Sequence, residues 1–205
     1  MKTLQLTTVF LAMALSALAA PCTTPTTFGD LQSLGSTGCQ DQDKIYNNFD
    51  GTLPAGTVID IESVLGLVDT HLISIGSLPI GVYTLEYLIT IDPLTADYED
   101  RNITQVSLGF DSAGAPGNSA SKQIWVGGQL LDTLFSSGGI DLSIPFSAKS
   151  VSIMETITVT NSTYQSTTNA FTQEVSAIPE PGTYAMIGFG LLGLVLSRRR
   201  FASRS

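Results

Sequence analysis

The chain is poor in cations, sulfur and imidazole. Its 205 residues hold nine Lys and Arg against 18 Asp and Glu, with two cysteines, one tryptophan and one histidine. A single histidine excludes a multi-histidine metal centre, and two cysteines with one histidine cannot build an ordinary zinc site without carboxylate help. The cations are also misplaced for a binding role. Lys2, Arg198, Arg199, Arg200 and Arg204 sit at the two ends. Between residues 20 and 181 only Lys44, Arg101, Lys122 and Lys149 remain against all 18 carboxylates, an excess of 14 negative charges. Such a body repels nucleic acid and anionic bilayers. It suits a soluble surface protein, or one that takes up divalent cations; solubility alone accounts for the charge.

Helical periodicity and internal repeats are absent before the C-terminal tail. From Thr57 onward the chain alternates apolar and polar residues with period two, the mark of half-buried strands. Tyr83, Leu85, Tyr87, Ile89 and Ile91 face one way, with Val82, Thr84, Glu86 and Thr90 opposite. Ile59, Ile61 and Leu65 form another such set, as do Val106, Leu108 and Phe110, and Val151, Ile153, Ile157 and Val159. Leu131–Phe135, a Ser-Ser-Gly-Gly turn and Ile140, Leu142, Ile144 and Phe146 read as a hairpin, and residues 169–177 as the final strand. Seven to ten short strands predict an all-β, antiparallel β-sandwich, with a jelly roll among the possible topologies. Trp125 and the Tyr83/Tyr87 stripe read as core or half-buried sheet. Residues 28–39 are turn-rich.

Both ends carry addresses. Residues 1–19 resemble a secretory signal peptide: Lys2 supplies the positive start, Val9–Leu18 an apolar core, and Ala17-Leu18-Ala19 a cleavage site before Ala20. Pro21 occupies the place where a lipidated Cys22 needs a small residue, which argues against a lipoprotein. At the other end Pro179 and Pro181 bracket Glu180 and hold it extended. The run Tyr184–Leu196 has no charge and spans about 20 Å as a helix, short for a hydrocarbon core of about 30 Å. Arg198, Arg199 and Arg200 end it and predict a cytoplasmic C-terminus. Gly188-Phe189-Gly190-Leu191-Leu192-Gly193 fits the dinucleotide-binding pattern, but that pattern has meaning only after a strand in a βαβ unit.

Pro179-Glu180-Pro181, the glycine-rich apolar run and the Arg198–Arg200 cluster together resemble a PEP-CTERM sorting signal. The resemblance covers about the last 28 residues, in the right order. It implies an exported protein of a Gram-negative bacterium that makes extracellular polysaccharide, and processing near Pro-Glu-Pro by a membrane-embedded exosortase. It implies nothing about the body. The predicted organisation is a signal peptide at 1–19, a β-sandwich ectodomain at 20–178, and a sorting tail at 179–205 with a transmembrane helix. The chain is expected to be held in the inner membrane during sorting and then to reach the cell surface or extracellular matrix. In an exported chain the even pair Cys22 and Cys39 predicts a disulfide.

Chemistry is hard to find in the body. His71 has no Gly-x-Ser-x-Gly elbow to serve. Ser119-Ala120-Ser121-Lys122 matches Ser-x-x-Lys in a serine-rich loop without the companion motifs. Asp92, Asp97, Glu99 and Asp100 gather four carboxylates in one loop and are weak metal candidates, but without the spacing of a calcium-binding EF-hand loop. A solvated loop explains them as well. Asn102-Ile103-Thr104 and Asn161-Ser162-Thr163 are glycosylation sequons that a bacterium leaves idle. The reading is a non-enzymatic, surface-displayed envelope or exopolysaccharide-matrix protein with no cofactor. The alternative is a carbohydrate-binding module, calcium-assisted or not, with extracellular polysaccharide as partner. Exposed aromatics on a concave sheet would favour the alternative. A His71 bonded to both a serine and a carboxylate would favour a third reading, a secreted hydrolase.

Overall fold

The computed structural model describes residues 19–23, 25–64, 69–111, 117–161 and 164–175. The signal peptide, the Pro-Glu-Pro segment, the apolar run and the basic end lie outside the described residues. Among the described residues no helix is long and apolar enough to cross a membrane.

Two sheets face each other. The seven-stranded sheet runs β1 (Ala20–Pro21), β3 (Cys39–Asp41), β4 (Lys44–Gly51), β7 (Gly81–Ile91), β12 (Ser150–Val159), β9 (Ser119–Val126), β10 (Gln129–Ser136). The six-stranded sheet runs β11 (Gly139–Leu142), β8 (Arg101–Asp111), β13 (Ser166–Val175), β6 (Asp69–Ile75), β5 (Val58–Val64), β2 (Thr26–Thr27). Among the described residues every strand pairing is antiparallel except β1 with β3. The fold is thus an antiparallel β-sandwich.

The alternation in the sequence builds it. In β7, Leu85, Tyr87, Ile89 and Ile91 are buried while Val82 is 64% exposed. In β12, Val151, Ile153, Ile157 and Val159 are buried on the facing phase. Side chains of the two inner faces meet in one core. Phe49 stacks on Tyr87 with ring centroids 5.6 Å apart, and Tyr87 meets Phe171 of the other sheet edge-on at 6.2 Å.

The structure corrects the sequence reading in three places. Residues 28–39, read as turns, include a short helix α1 (Phe28–Ser33), capped by Thr27, whose hydroxyl accepts from the Asp30 amide at 3.2 Å. Six residues are too few to show a helical period, and the helix serves to bury Phe28 and Leu31. The strands β3 and β4 precede Thr57, where the alternation was first read. Finally, β10 and β11 do not form a hairpin. They lie in opposite sheets, β10 on β9 and β11 on β8. The Asp141 carboxylate accepts the Phe135 amide at 2.8 Å and so bridges the two edges with a side chain instead of a ladder. Ile140, Leu142 and Ile144, read as part of that hairpin, are 77%, 55% and 54% exposed.

Cys22 and Cys39 form a disulfide with Cα atoms 4.8 Å apart, tying β1 to β3. Gly38 leads into β3 at φ +66°, where a Cβ would stand 2.1 Å from the Tyr46 carbonyl oxygen. Gly35 has φ +55° with open space around it. Gly38→Ala is therefore expected to lower stability by about 2 kcal/mol or more, and Gly35→Ala by only about 1 kcal/mol. Denaturant midpoints of the two variants check this, and equal losses would contradict it.

Candidate functional site

Polar side chains enter the sandwich interior at two levels. The first is at the β3–β4 turn. Gln42 takes φ +52° there, and Asp43 and Lys44 turn inward. The Asp43 carboxylate accepts from Lys44 Nζ at 2.7 Å, Gln173 Nε2 at 2.8 Å and Arg101 at 3.0 Å. His71 Nε2 lies 3.3 Å from it. Lys44, fully buried, also donates to the Gln173 side-chain oxygen. Burial alone would push the Asp43 carboxyl up, but His71, Lys44 and Gln173 around it hold it well below the usual carboxylate range. Burial pulls Lys44 down against the opposing pull of Asp43.

The second level lies in mid-core. Lys122 of β9 and Glu155 of β12 are cross-strand partners, both fully buried. Lys122 Nζ stands 3.8 Å from Glu155 Oε1, donates to the Ser107 carbonyl of β8 at 2.6 Å, and lies 5.3 Å from the Phe171 ring centroid. Tyr87 donates its hydroxyl to Glu155 Oε1 at 2.7 Å. Burial lowers the Lys122 amine to about 8, opposed by Glu155. Burial, with Glu155 beside it, raises the Tyr87 phenol.

A third feature is external. A depression of about 400 Å³ on the seven-stranded sheet is lined by Leu88, Trp125, Gly127, Gly128, Ser150 and Ser152. The registers place Asn47, Leu88, Ser152, Trp125 and Leu130 in one row across β4, β7, β12, β9 and β10. Trp125 is half-buried there, as the sequence suggests, while Tyr87 belongs to the core.

The residues singled out in the sequence scatter over these places. His71 sits in β6, buried between Asp41 and Asp43, with Nδ1 3.7 Å from Asp41 Oδ2. Ser63 donates to Asp41, not to His71, so among the described residues no serine is paired with the imidazole as base. Ser119 and Lys122 lie in a strand, β9, and not in a loop. An odd separation in a strand puts them on opposite faces, which precludes a nucleophile–base pair. Asp92 accepts from Gln40 Nε2 and the Leu94 amide, and Glu99 and Asp100 fall in a single 3-10 turn at Tyr98–Asp100. Among the described residues no three His, Cys, Asp or Glu converge as a metal site. Asp43, Gln173, Glu155 and Asn169 were missed as interior polar residues. The available signal was a polar side chain in the apolar phase of a strand, as with Glu155 between Ile153 and Ile157.

The C-terminal segment matches the PEP-CTERM protein-sorting motif over residues 177–200. The chain therefore carries the sorting signal of an exported protein directed to the cell envelope, and the motif implies exosortase processing. No curated protein matches the sequence. Among solved structures, the chain is similar to a family 11 carbohydrate-binding module from Clostridium thermocellum in complex with a β-1,3-1,4-mixed-linked tetrasaccharide. Identity there is 9%, over 64% of this chain and 90% of that one, with a TM-score of 0.28. It is also similar to the family 11 module of the cellulosomal cellulase Lic26A-Cel5E of Clostridium thermocellum, at 8% identity, 65% and 91% coverage and a TM-score of 0.27.

The Asp43 cluster makes stability depend on acid. A carboxyl whose folded pKa is depressed stabilises the fold above its unfolded value of about 3.9 and loses that contribution as pH falls below it. Asp43→Asn is expected to cost about 3 kcal/mol near neutral pH, because Lys44 and Arg101 lose their buried partner. It should also flatten the acid limb of the stability curve. Urea midpoints of both proteins across the acid range measure this.

Proposed function

We propose that the protein is a non-enzymatic β-sandwich of the cell surface or extracellular matrix, delivered there by its PEP-CTERM tail. The observation that carries the proposal is the position of the tail. Pro179-Glu180-Pro181 follows closely on β13, which ends at Val175, so by sequence the signal is joined directly to the folded body. A Pro-Glu-Pro segment just outside the bilayer is accessible to a peptidase, whereas a helix hides its peptide bonds. The apolar run Tyr184–Leu196 is the membrane anchor in this proposal, with Arg198–Arg200 inside. The Cys22–Cys39 bond fits an oxidising compartment. In the producing organism the mature protein is expected to end near Pro-Glu-Pro. Glu180→Ala, or Ser at Arg198–Arg200, should leave unprocessed chain. Mass spectrometry of the C-terminal peptide decides, and an intact Arg204-Ser205 end on surface protein, with an active exosortase present, would overturn the sorting proposal.

The Trp125 depression favours a second reading, in which the body binds polysaccharide. An indole with an apolar neighbour, Leu88, and hydroxyls from Ser150 and Ser152 offers a stacking surface and hydrogen-bonding groups side by side. Trp125 is only half-buried, so Trp125→Ala should leave the fold intact. It is expected to abolish retardation of the protein in gels containing the exopolysaccharide of the producing strain. Unchanged retardation would remove this face from consideration.

A further inference from the structure

Two buried side chains in mid-core carry unsatisfied polar atoms, and a buried amine has fewer acceptors than its charged form needs. Asn169 is fully buried, yet neither Oδ1 nor Nδ2 finds a hydrogen-bond partner among the described residues. Glu155 Oε2 is in the same condition. Lys122 is fully buried, and its Nζ, a group with three donors when charged, reaches the Ser107 carbonyl while Glu155 stays at 3.8 Å. Native cores rarely leave buried polar groups unpaired, and here an amine, a carboxamide and a carboxylate oxygen are anomalous together.

Topology brings the three to one place. Lys122 projects inward between Ala120 and Ile124, with Glu155 directly across the ladder. Asn169 projects inward from β13 of the opposite sheet, between Thr167 and Phe171. The Lys122 side chain spans the gap between sheets: it donates to Ser107, whose cross-strand partner is Ala170, the residue between Asn169 and Phe171. Its amine also lies against the Phe171 ring. The amine thus ends at the part of the wall from which Asn169 rises.

We propose that Lys122 and Asn169 are joined in the mature protein by an intramolecular isopeptide bond linking the two sheets, with Glu155 as the proton carrier. The neutral Lys122 amine attacks Asn169 Cγ. The Nζ–Cγ bond forms, the Cγ–Nδ2 bond breaks, and one proton passes from Nζ by way of Glu155 to the departing nitrogen, which leaves as ammonia. No oxidant, metal or cofactor enters. Burial favours the neutral amine and keeps water from competing, and the bond to Ser107, across the ladder from Ala170, brings the amine to the strand that carries Asn169. Tyr87 positions Glu155 through its 2.7 Å hydrogen bond. The product replaces an amine and a primary amide by one N–H and one C=O, which reduces the number of buried groups needing partners.

The test is mass spectrometry of the full chain, expressed with export, purified folded and then reduced. The wild type is expected to be lighter than its sequence by the mass of one ammonia. A digest should contain one non-reducible linked peptide pair holding Lys122 and Asn169. Glu155→Gln keeps the shape and an acceptor for Tyr87 but cannot carry the proton. It should retain the ammonia, lack the linked pair and melt at lower temperature. Lys122→Met fills similar volume without an amine and serves if Glu155→Gln does not fold. Folded wild-type protein at full mass, with Lys122 labelled as a free amine after denaturation, would overturn the proposal. A linked pair persisting in Glu155→Gln would overturn the role of Glu155.

Discussion

The Asp43 carboxylate is the point on which one end of the sandwich depends. It enters from the seven-stranded sheet and accepts from Arg101 of β8 and Gln173 of β13 in the other sheet, while Lys44 beside it bonds the same Gln173. A buried charge is tolerated only when it is paired and hydrogen-bonded, so these contacts constrain the distance and register of the two sheets as apolar packing cannot. The β3–β4 turn, with Gln42 in the left-handed region, exists to aim Asp43 inward.

The same economy of cations shapes the surface. The four that lie between residues 20 and 181 are all engaged internally. Lys44 and Lys122 are fully buried. Arg101 binds Asp43 and lies 3.7 Å from Asp69. Lys149 donates to the carbonyls of Tyr98, Glu99 and Arg101, holding the 3-10 turn onto the body. The exterior is left with carboxylates and few opposing charges. A protein so built stays dispersed by self-repulsion and approaches neutral or cationic partners more readily than nucleic acid or anionic lipid. Asp97 and Glu99 belong to this exterior, while Asp92 is buried and anchors the loop through its bond to Gln40, as Lys149 does through the Glu99 carbonyl.

Much of the architecture was legible because one face of each strand is wet. Leu85, Tyr87, Ile89 and Ile91 alternate cleanly because β7 is a central strand with a single buried face. The same rule misled at Ile140, Leu142 and Ile144. There the alternation is real, but β11 is an edge strand whose apolar side chains stay exposed, and an Asp141 side chain takes over the role of a hairpin ladder. The tail and the cysteine pair were legible for another reason: an address and an even cysteine count are local features. Trp125 was read as half-buried sheet and is so; that it lines a depression depends on strand neighbours 27 and 37 positions away, Ser152 and Leu88, and no local pattern encodes that pairing.

The interior polar residues are legible in principle, but the apolar members of a strand pattern carry its signal and the polar ones obscure it. Glu155 and Lys122 each occupy the buried phase of an otherwise apolar alternation, whereas the buried phase of β13, Thr167, Asn169, Phe171 and Gln173, is mostly polar. One such substitution weakens a strand assignment; several that meet across two sheets mean that the fold has been arranged around them. Hydrophobic burial would be stronger at each position taken alone, since ion pairs rarely repay their desolvation. Retaining polar groups there makes sense only if they do something that packing cannot: fix the register at the Asp43 end, and at the Lys122 level offer an amine to a carboxamide out of reach of water. Outside the cell a chain meets proteases whenever it opens. Crosslinks that restrict opening act on that vulnerability directly. The Cys22–Cys39 bond secures only the β1–β3 edge. A bond between β9 and β13 would secure the two sheets against separation, the one motion that neither the disulfide nor the strand ladders oppose.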